Sequence, residues 1–441
     1  MRPWLLLSLL LFPLQALAAD GAAGPSRGDW SAFGSGPGRN AQLEIEGAGG
    51  GPLSVSWRFA APGAIPLDGP PMGGDLKTTA YSVGLPVGPS LSHGLLLAGS
   101  DAGEIEALDP RTGARVWSRR LWNMAMVNPI VVGDTVYVTT GNPFFNFAET
   151  LRFAAGERPT RGPGLNGLFA LDLATGAERW HFYTSGEDMP TPVVGGGVVY
   201  FASGNGFVYA VDAKSGKALW QSDVAAIDGM SSPLLLDGRL FFGGSHPDLF
   251  LALDARTGKI LWKRSFADAT PAGFGAATAS SGGGHVLVEE VVKTFDPRAP
   301  VANRLFALDP ATGQSVWERE LGRGGKPKGF ATATPVVVGD VVYVSSIVDG
   351  ATHALSAVDG KPLWTTKLPG AGAGLVVGAH SVYVAAGPRI VELDRKDGRR
   401  RGEVRVGGHM GPAAPLLAGD TLFTDNMYGW VVATPIRDLR P

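Results

Sequence analysis

Three methionines stand three residues before a proline that opens an apolar run: Met126 before Pro129, Met189 before Pro192 and Met230 before Pro233. Met124 lies beside the first, and His409-Met410 precedes a comparable run. Thioethers with a nearby imidazole suit Cu(I). The same soft side chains also make an adaptable surface for a peptide, or fill irregular gaps between converging strands. All three readings stand open in the sequence. A second group lies in 142–166, where Phe144, Phe145, Phe147 and Phe153 are mixed with Arg152, Arg158 and Arg161. Aromatics with arginine are favoured at protein interfaces. The plainer alternative is that these rings fold back onto the body of the protein.

Other chemistries are excluded by residue type or spacing. His93, His181, His246, His285, His353 and His380 are scattered, with no pair at zinc-ligand spacing. No nucleophile elbow, phosphate loop or dinucleotide fingerprint occurs. The runs Gly195 to Gly197 and Gly282 to Gly284 have no helix after them to complete an anion cradle and read as hairpin turns. The sequence holds no cysteine, which removes disulfides, thiolate-bound zinc and c-type haem attachment. A net charge of −2 with mixed signs gives no electrostatic case for nucleic acid. The basic run from Arg395 to Arg405 spans a predicted turn and reads as a solvated rim.

The elements that must position any site follow from a repeat. One phrase recurs in Ala107 to Trp117, Ala170 to Trp180, Ala210 to Trp220, Ala252 to Trp262 and Ala307 to Trp317. It is shortened in Ala357 to Trp364 and degenerate in Glu392 to Gly402. Each copy reads as a β-hairpin: a strand ending in Asp, a Thr-Gly or Ser-Gly turn in which glycine takes a positive φ, and a strand carrying Trp. The alanine two residues before Asp is expected to let a neighbouring Trp lie flat. Because the Asp and a Thr or Ser recur in the five full copies, they are structural; a catalytic group is needed once. Upstream of the phrases lie pairs of β-branched strands joined by Gly-Asp or Gly-Gly, as in Thr191 to Asp212 and Thr334 to Ser346. Four strands per repeat make a propeller blade.

The expected fold is therefore all-β, an eight-bladed β-propeller of four-stranded antiparallel blades. Trp57, Trp117, Trp180, Trp220, Trp262, Trp317 and Trp364 are its structural tryptophans. The eighth blade is split: Ala413 to Pro435 supplies inner strands and Leu53 to Phe59 an N-terminal strand that closes the ring and removes exposed edges. The expected division is a signal peptide at 1–19, a lead-in at 20–52 with Trp30 and Phe33 packed across one face of the ring, the propeller at 53–435 and a tail at 436–441. Arg2, an apolar run and Ala16-Leu17-Ala18 carry the signal-peptide reading. The protein is expected to be periplasmic or secreted, soluble after cleavage, monomeric and not inserted in a membrane.

The phrase AxDxxTGxxxW, the PVVxGDxVYV strands and the DWxxFG lead-in resemble the PQQ-like repeat superfamily over about Gly28 to Pro435. That resemblance implies one of two classes: quinoprotein dehydrogenases, with pyrroloquinoline quinone and Ca²⁺ in the ring centre, or non-catalytic scaffolds similar to BamB. Against the dehydrogenases stands the missing pair of adjacent cysteines; against BamB itself stands the missing lipidation cysteine. Asn128, Glu187, Asp188 and Asp228 lie near inner-strand starts without forming a recognisable Ca²⁺ and base set. The expectation is thus a non-catalytic scaffold with no cofactor, engaging an envelope protein or peptide through one ring face and the 142–166 insertion. The alternatives are a PQQ- and calcium-dependent dehydrogenase with its cofactor near Trp122, Asn128 and the methionines, and a copper- or small-ligand-binding protein.

Overall fold

A computed structural model describes residues 32–40, 42–43, 53–68, 88–125, 127–141, 152, 157, 160, 162–228, 231–246, 248–266, 278–292, 300–325, 333–408, 410 and 414–441. They form eight antiparallel sheets, the blades of a propeller. Blade 1 runs from the inner strand Ser90–Ser92 to the outer strand Arg115–Arg120, blade 2 from Ile130–Val132 to Glu178–Thr184, and blade 3 from Val193–Gly195 to Ala218–Asp223. Blade 4 runs from Leu234–Leu236 to Ile260–Ser265, blade 5 from Ser280–Gly282 to Ser315–Gly324, blade 6 from Val336–Val338 to Pro362–Lys367, and blade 7 from Ala371–Val377 to Arg400–Arg405. Blade 8 takes Leu416–Ala418, Thr421–Asp425 and Trp430–Pro435, with Trp57–Ala60 paired antiparallel to the last.

The repeated phrase stitches blade to blade. Each turn glycine has positive φ, for example 72° at Gly113 and 70° at Gly176. The Asp ahead of it accepts backbone N–H bonds inside the turn, as Asp109 Oδ1 does from Arg111 and Thr112. The tryptophan of one blade lies over the turn glycine of the next: Trp117 on Gly176, Trp180 on Gly216, Trp220 on Gly258, Trp262 on Gly313, Trp317 on Gly360 and Trp364 on Gly398. Its indole N–H donates to a backbone carbonyl of that same turn region, from Trp117 to Leu173 O (2.9 Å) through Trp364 to Arg395 O (3.1 Å). The sequence expectation for the phrase alanine needs correcting. Ala107, Ala170 and Ala210 stand opposite the tryptophan of their own blade, and the surface on which the ring lies is the next blade's glycine. Only a residue without Cβ leaves room there.

The lead-in follows the inner wall. Pro37 O accepts the Ser281 N–H of blade 5, and Gly38 O accepts the Val337 N–H of blade 6. The Asn40 amide donates to Val377 O and accepts its N–H in blade 7, both at 2.9 Å. Gln42–Leu43 then pairs parallel with Leu417 and Ala418 of blade 8. One short segment thus satisfies free inner-strand edges of four successive blades. The expected signal peptide and Trp30 lie outside the described residues.

Candidate active site at the channel mouth

The eight blades share one register. The pairs Ser90↔Leu97, Ile130↔Tyr137, Val193↔Tyr200, Leu234↔Phe241, Ser280↔Leu287, Val336↔Tyr343, Val376↔Tyr383 and Leu416↔Phe423 are equivalent. Two residues further along the second strand come Gly99, Thr139, Ala202, Gly243, Glu289, Ser345, Ala385 and Asp425. Six blades put a small residue there; blades 5 and 8 put a carboxylic acid. The repeat does not need an acid at this position, so these two depart from it for a reason of their own.

Both acids are enclosed: Glu289 is 0% exposed and Asp425 2%. Among the described residues neither Glu289 oxygen has a well-formed hydrogen bond, although the Asn303 side chain and the Ala333 N–H act on the carboxyl, and Asp425 Oδ1 has none. Asp425 Oδ2 accepts the Gly88 N–H at 3.0 Å. Burial pushes both carboxyls well above the usual carboxylate range, because the charged form loses its water. Asn303, across the strand pair, pulls Glu289 in the opposite direction without overcoming burial. Asn303 Nδ2 donates to Glu290 O at 3.2 Å, while its Oδ1 is buried with no donor among the described residues. A protonated Glu289 carries the O–H that such an oxygen lacks.

A third enclosed acid, Asp188, lies in the connection from blade 2 to blade 3. Thr184 Oγ1 donates to its Oδ2, the Ser203 hydroxyl also acts on the carboxyl, and its Oδ1 has no well-formed hydrogen bond among the described residues. Burial again raises it, and neighbouring Glu187 adds to the shift.

A belt of hydrogen bonds joins the starts of the inner strands. Gly88 links Asp425 to blade 2, its O accepting from Asn128 Nδ2 (2.8 Å). The Asn128 N–H donates to Thr191 Oγ1 (3.0 Å), the Thr191 N–H to Ser232 Oγ (3.1 Å), and the Ser232 N–H to Thr278 Oγ1 (3.0 Å). The Thr191, Ser232 and Thr278 hydroxyls therefore each receive a backbone N–H of the preceding blade, while the Asn128 side-chain amide donates to the Gly88 carbonyl.

Arg39 completes this end of the channel. It is 2% exposed. Its Nε donates to Ala279 O and its Nη1 to Phe33 O, both at 2.9 Å; Nη2 reaches Pro233 O at 2.9 Å and Ser232 O at 3.4 Å. It forms no ion pair among the described residues. Burial without a counter-charge lowers it to about 9.

The residues named from sequence fall in different places. Met124 and Met189 meet around Gly141: the Met124 carbonyl accepts its N–H, and the Met189 side chain covers its Cα. Met410 is buried with Tyr383, Leu417 and Val432 between blades 7 and 8. Arg152 is exposed and ion-paired with Glu157 at 2.6 Å. Met126, Met230, His409, Phe144, Phe145, Phe147 and Phe153 lie outside the described residues. Trp122 is not in the channel: it is 46% exposed and packs on Phe169, His181 and Tyr183 of blade 2. Glu289, Asp425 and Arg39 are additions from the structure.

A quinone–calcium pair needs a cage of oxygen ligands around the ion. Among the described residues no three acidic or imidazole side chains converge. Glu289 and Asp425 stand in separate blades, and the carbonyls of Ser232, Pro233 and Ala279 are taken by Arg39. The described donor set does not form such a cage.

The ring, its tryptophan-on-glycine stitching and its inner belt define a PQQ-like repeat propeller. BamB from Moraxella catarrhalis shares this fold, with a TM-score of 0.58 and 18% identity over 79% of this chain and 95% of that one. The chain belongs to the family described as outer membrane protein assembly factor BamB, matched over residues 54–161, 165–350 and 302–438. It is also 30% identical to the tetrathionate hydrolase of Acidithiobacillus ferrooxidans over 95% of this chain and 88% of that protein. The tetrathionate hydrolase of Acidianus ambivalens is 29% identical over 86% of this chain and 78% of its own length. These relatives overturn the non-catalytic scaffold expected from sequence: proteins similar along almost the whole chain are enzymes. The scaffold reading rested on missing dehydrogenase features, and their absence bears on one chemistry only.

Proposed function

We propose that this chain is an exported hydrolase of tetrathionate or a related polythionate, with its active site at the belt end of the channel. The observation that carries the reading is the 30% identity to a tetrathionate hydrolase across 95% of the chain. The two acids that break the blade repeat, Glu289 and Asp425, support it by supplying the type of group the reaction needs. Membership of a family described as an outer membrane protein assembly factor supports a place in the cell envelope.

Tetrathionate is a dianion with a sulfonate at each end of a two-sulfur bridge. In hydrolysis, water oxygen adds to one sulfonate sulfur. The bond from that sulfur to the bridge breaks, and its electron pair goes to the three-sulfur fragment. Sulfate leaves, the fragment takes one proton, and the second proton of water is released. Sulfur atoms exchange oxidation states within the substrate, so no external oxidant is used. The chain has no thiol, which leaves water as the attacking group. The departing sulfane is helped by a neutral acid, and a buried, uncharged Glu289 is a general acid of that kind.

The test is incubation of the purified protein with tetrathionate in ¹⁸O-water, followed by ion chromatography and mass analysis of sulfate. One labelled oxygen per sulfate is expected. Intact tetrathionate across pH 2 to 8 (a range of about six units spanning ordinary carboxyl and imidazole titration) would sink the proposal.

A further inference from the structure

The channel mouth holds one charge that neither the repeat nor the proposed proton transfer uses. Burying a guanidinium is costly unless an anion or dense hydrogen bonding compensates it. Arg39 has the second and, among the described residues, not the first: four carbonyl oxygens from blades 4 and 5 and from its own turn surround it. Carbonyl dipoles solvate a cation but leave its net charge in place. A cheaper staple was available, because Asn40, next in the chain, ties the same segment to blade 7 with two hydrogen bonds and no charge. The arginine backbone also sits at φ +58°, a conformation that an unbranched polar residue adopts only at some cost.

The charge stands on the belt. Ser232, whose carbonyl receives Arg39 Nη2, is the residue whose hydroxyl receives the Thr191 N–H, and Ala279 directly follows the belt residue Thr278. The same blade 5 carries Glu289. Three of the enclosed acids that would offset the charge, Asp188, Glu289 and Asp425, are held toward their neutral forms by burial. The belt end of the channel therefore has a positive interior in low dielectric, where a charge acts over longer range than in water.

We infer that Arg39 is a specificity-determining residue: its enclosed charge gives the channel its preference for dianionic, sulfonate-ended ligands, and the carbonyl cage holds that charge at the blade 4–blade 5 arc. The inference rests on the hydrolase reading for its substrate class. Arg39 is a positioning residue, since it acts on the ligand by its field and donates its hydrogen bonds to carbonyl oxygens of the protein.

Three variants separate charge from stapling. Arg39→Gln removes the charge and keeps an amide donor; Arg39→Lys keeps the charge and loses the fork. Asn40→Ala loosens the same segment and leaves Arg39 intact. Thiosulfate, a sulfonate-like dianion, serves as the binding probe by calorimetry, beside KM and kcat for tetrathionate and a melting curve for each protein. Arg39→Gln is expected to weaken thiosulfate binding and raise KM tenfold or more with a smaller change in kcat. Arg39→Lys is expected to restore most of that affinity even where it melts lower. Equal losses in Arg39→Gln and Arg39→Lys, or a loss in Asn40→Ala as large as that in Arg39→Gln, would overturn the inference in favour of a staple. Thiosulfate binding that depends on Arg39, with no tetrathionate turnover, would remove the hydrolase reading and leave the anion site. Turnover with an unchanged KM in Arg39→Gln would do the reverse. If Arg39→Gln fails to fold, the Arg39→Lys and Asn40→Ala comparison still decides, because the inference requires the first to bind the probe like the native chain.

Discussion

Trp57 lies across Gly113, so that a Cβ on that glycine would meet the indole at 2.6 Å, and the indole N–H donates to Pro110 O at 3.0 Å. Trp57 belongs to the strand paired with Trp430–Pro435, and Gly113 to the outer hairpin of blade 1. The contact that joins neighbouring blades elsewhere here joins the strand beside blade 8 to blade 1. Beside it, the Phe59 ring lies 5.3 Å from the Arg115 guanidinium, which is held on Glu106 at 2.7 and 2.9 Å. Gly113→Ala adds a side chain both at positive φ and against the indole, and is expected to cost about 1–3 kcal/mol. Trp57→Ala is expected to cost about 3–5 kcal/mol. The double variant should cost less than the sum, because one change relieves the clash made by the other. Urea denaturation of the four proteins measures this. Deleting residues 53–60 is expected to lower the melting temperature of the whole ring, and an unchanged melt would show that the strand is not part of the clasp.

The belt makes a more local prediction. Thr191→Val keeps the shape of the side chain and removes the oxygen that receives the Asn128 N–H. A buried donor left without a partner costs about 1–3 kcal/mol. Hydrogen exchange at the Asn128 amide should speed up, while amides in the outer strand Glu178–Thr184 keep their protection. Uniform loss of protection through blade 2 would mean that the belt carries global stability instead.

Stability should depend on pH in an unusual direction. Asp188, Glu289 and Asp425 have folded-state pKa values raised by burial. A raised folded value means that the native state holds protons more tightly than the unfolded chain. The contribution is thus complete below the unfolded carboxyl value of about 4 and is lost as pH rises through the folded values. On the acid side, Asp134 and Asp359 are lowered to about 2 by Arg179 and Lys361. Their contributions are present above about 4 and vanish as pH falls toward 2. The melting temperature should therefore peak on the acid side of neutrality. A maximum at pH 7 or above would contradict the burial of the three acids.

The fold was legible because each copy of the phrase carries its own physical necessity. Gly113 and its counterparts need positive φ, and their tryptophans need a flat floor. The belt was half legible: Asn128, Thr191 and Ser232 each precede a proline at an inner-strand start, but a hydroxyl that receives the previous blade's N–H is visible only once the blades are placed side by side. Glu289 and Asp425 were readable in principle. Aligning the second strands, HVLVE and TLFTD against VVYVS and TVYVT, exposes an acid where the repeat keeps small residues. A repeated acid reads as structural, and these two gain meaning only as departures from the small residues that the other blades keep. Arg39 left no such mark. A single arginine in a glycine-rich lead-in acquires meaning only from carbonyls some 200 residues away.

The strongest separation of function from structure lies in Glu289→Gln. The substitution keeps size and removes both the proton that can be donated and the charge that burial penalises. At neutral pH the unfolded carboxyl ionises freely while the enclosed one resists it, so the glutamine protein, which has no such penalty, should melt higher. Near pH 4 the two should melt alike, because the native residue is then neutral. Turnover of tetrathionate should move the other way. Loss of a general acid is expected to cost about 100-fold or more wherever the native carboxyl is protonated, and the gap should close as pH rises through the raised value of Glu289 and native activity falls. A residue kept for packing alone would change stability and activity together. The opposed pair, a more stable and less active protein at neutral pH, assigns Glu289 to the chemistry. Glu289→Gln with native kcat would remove it from the reaction and turn attention to Asp425, the other acid at the same position of the repeat.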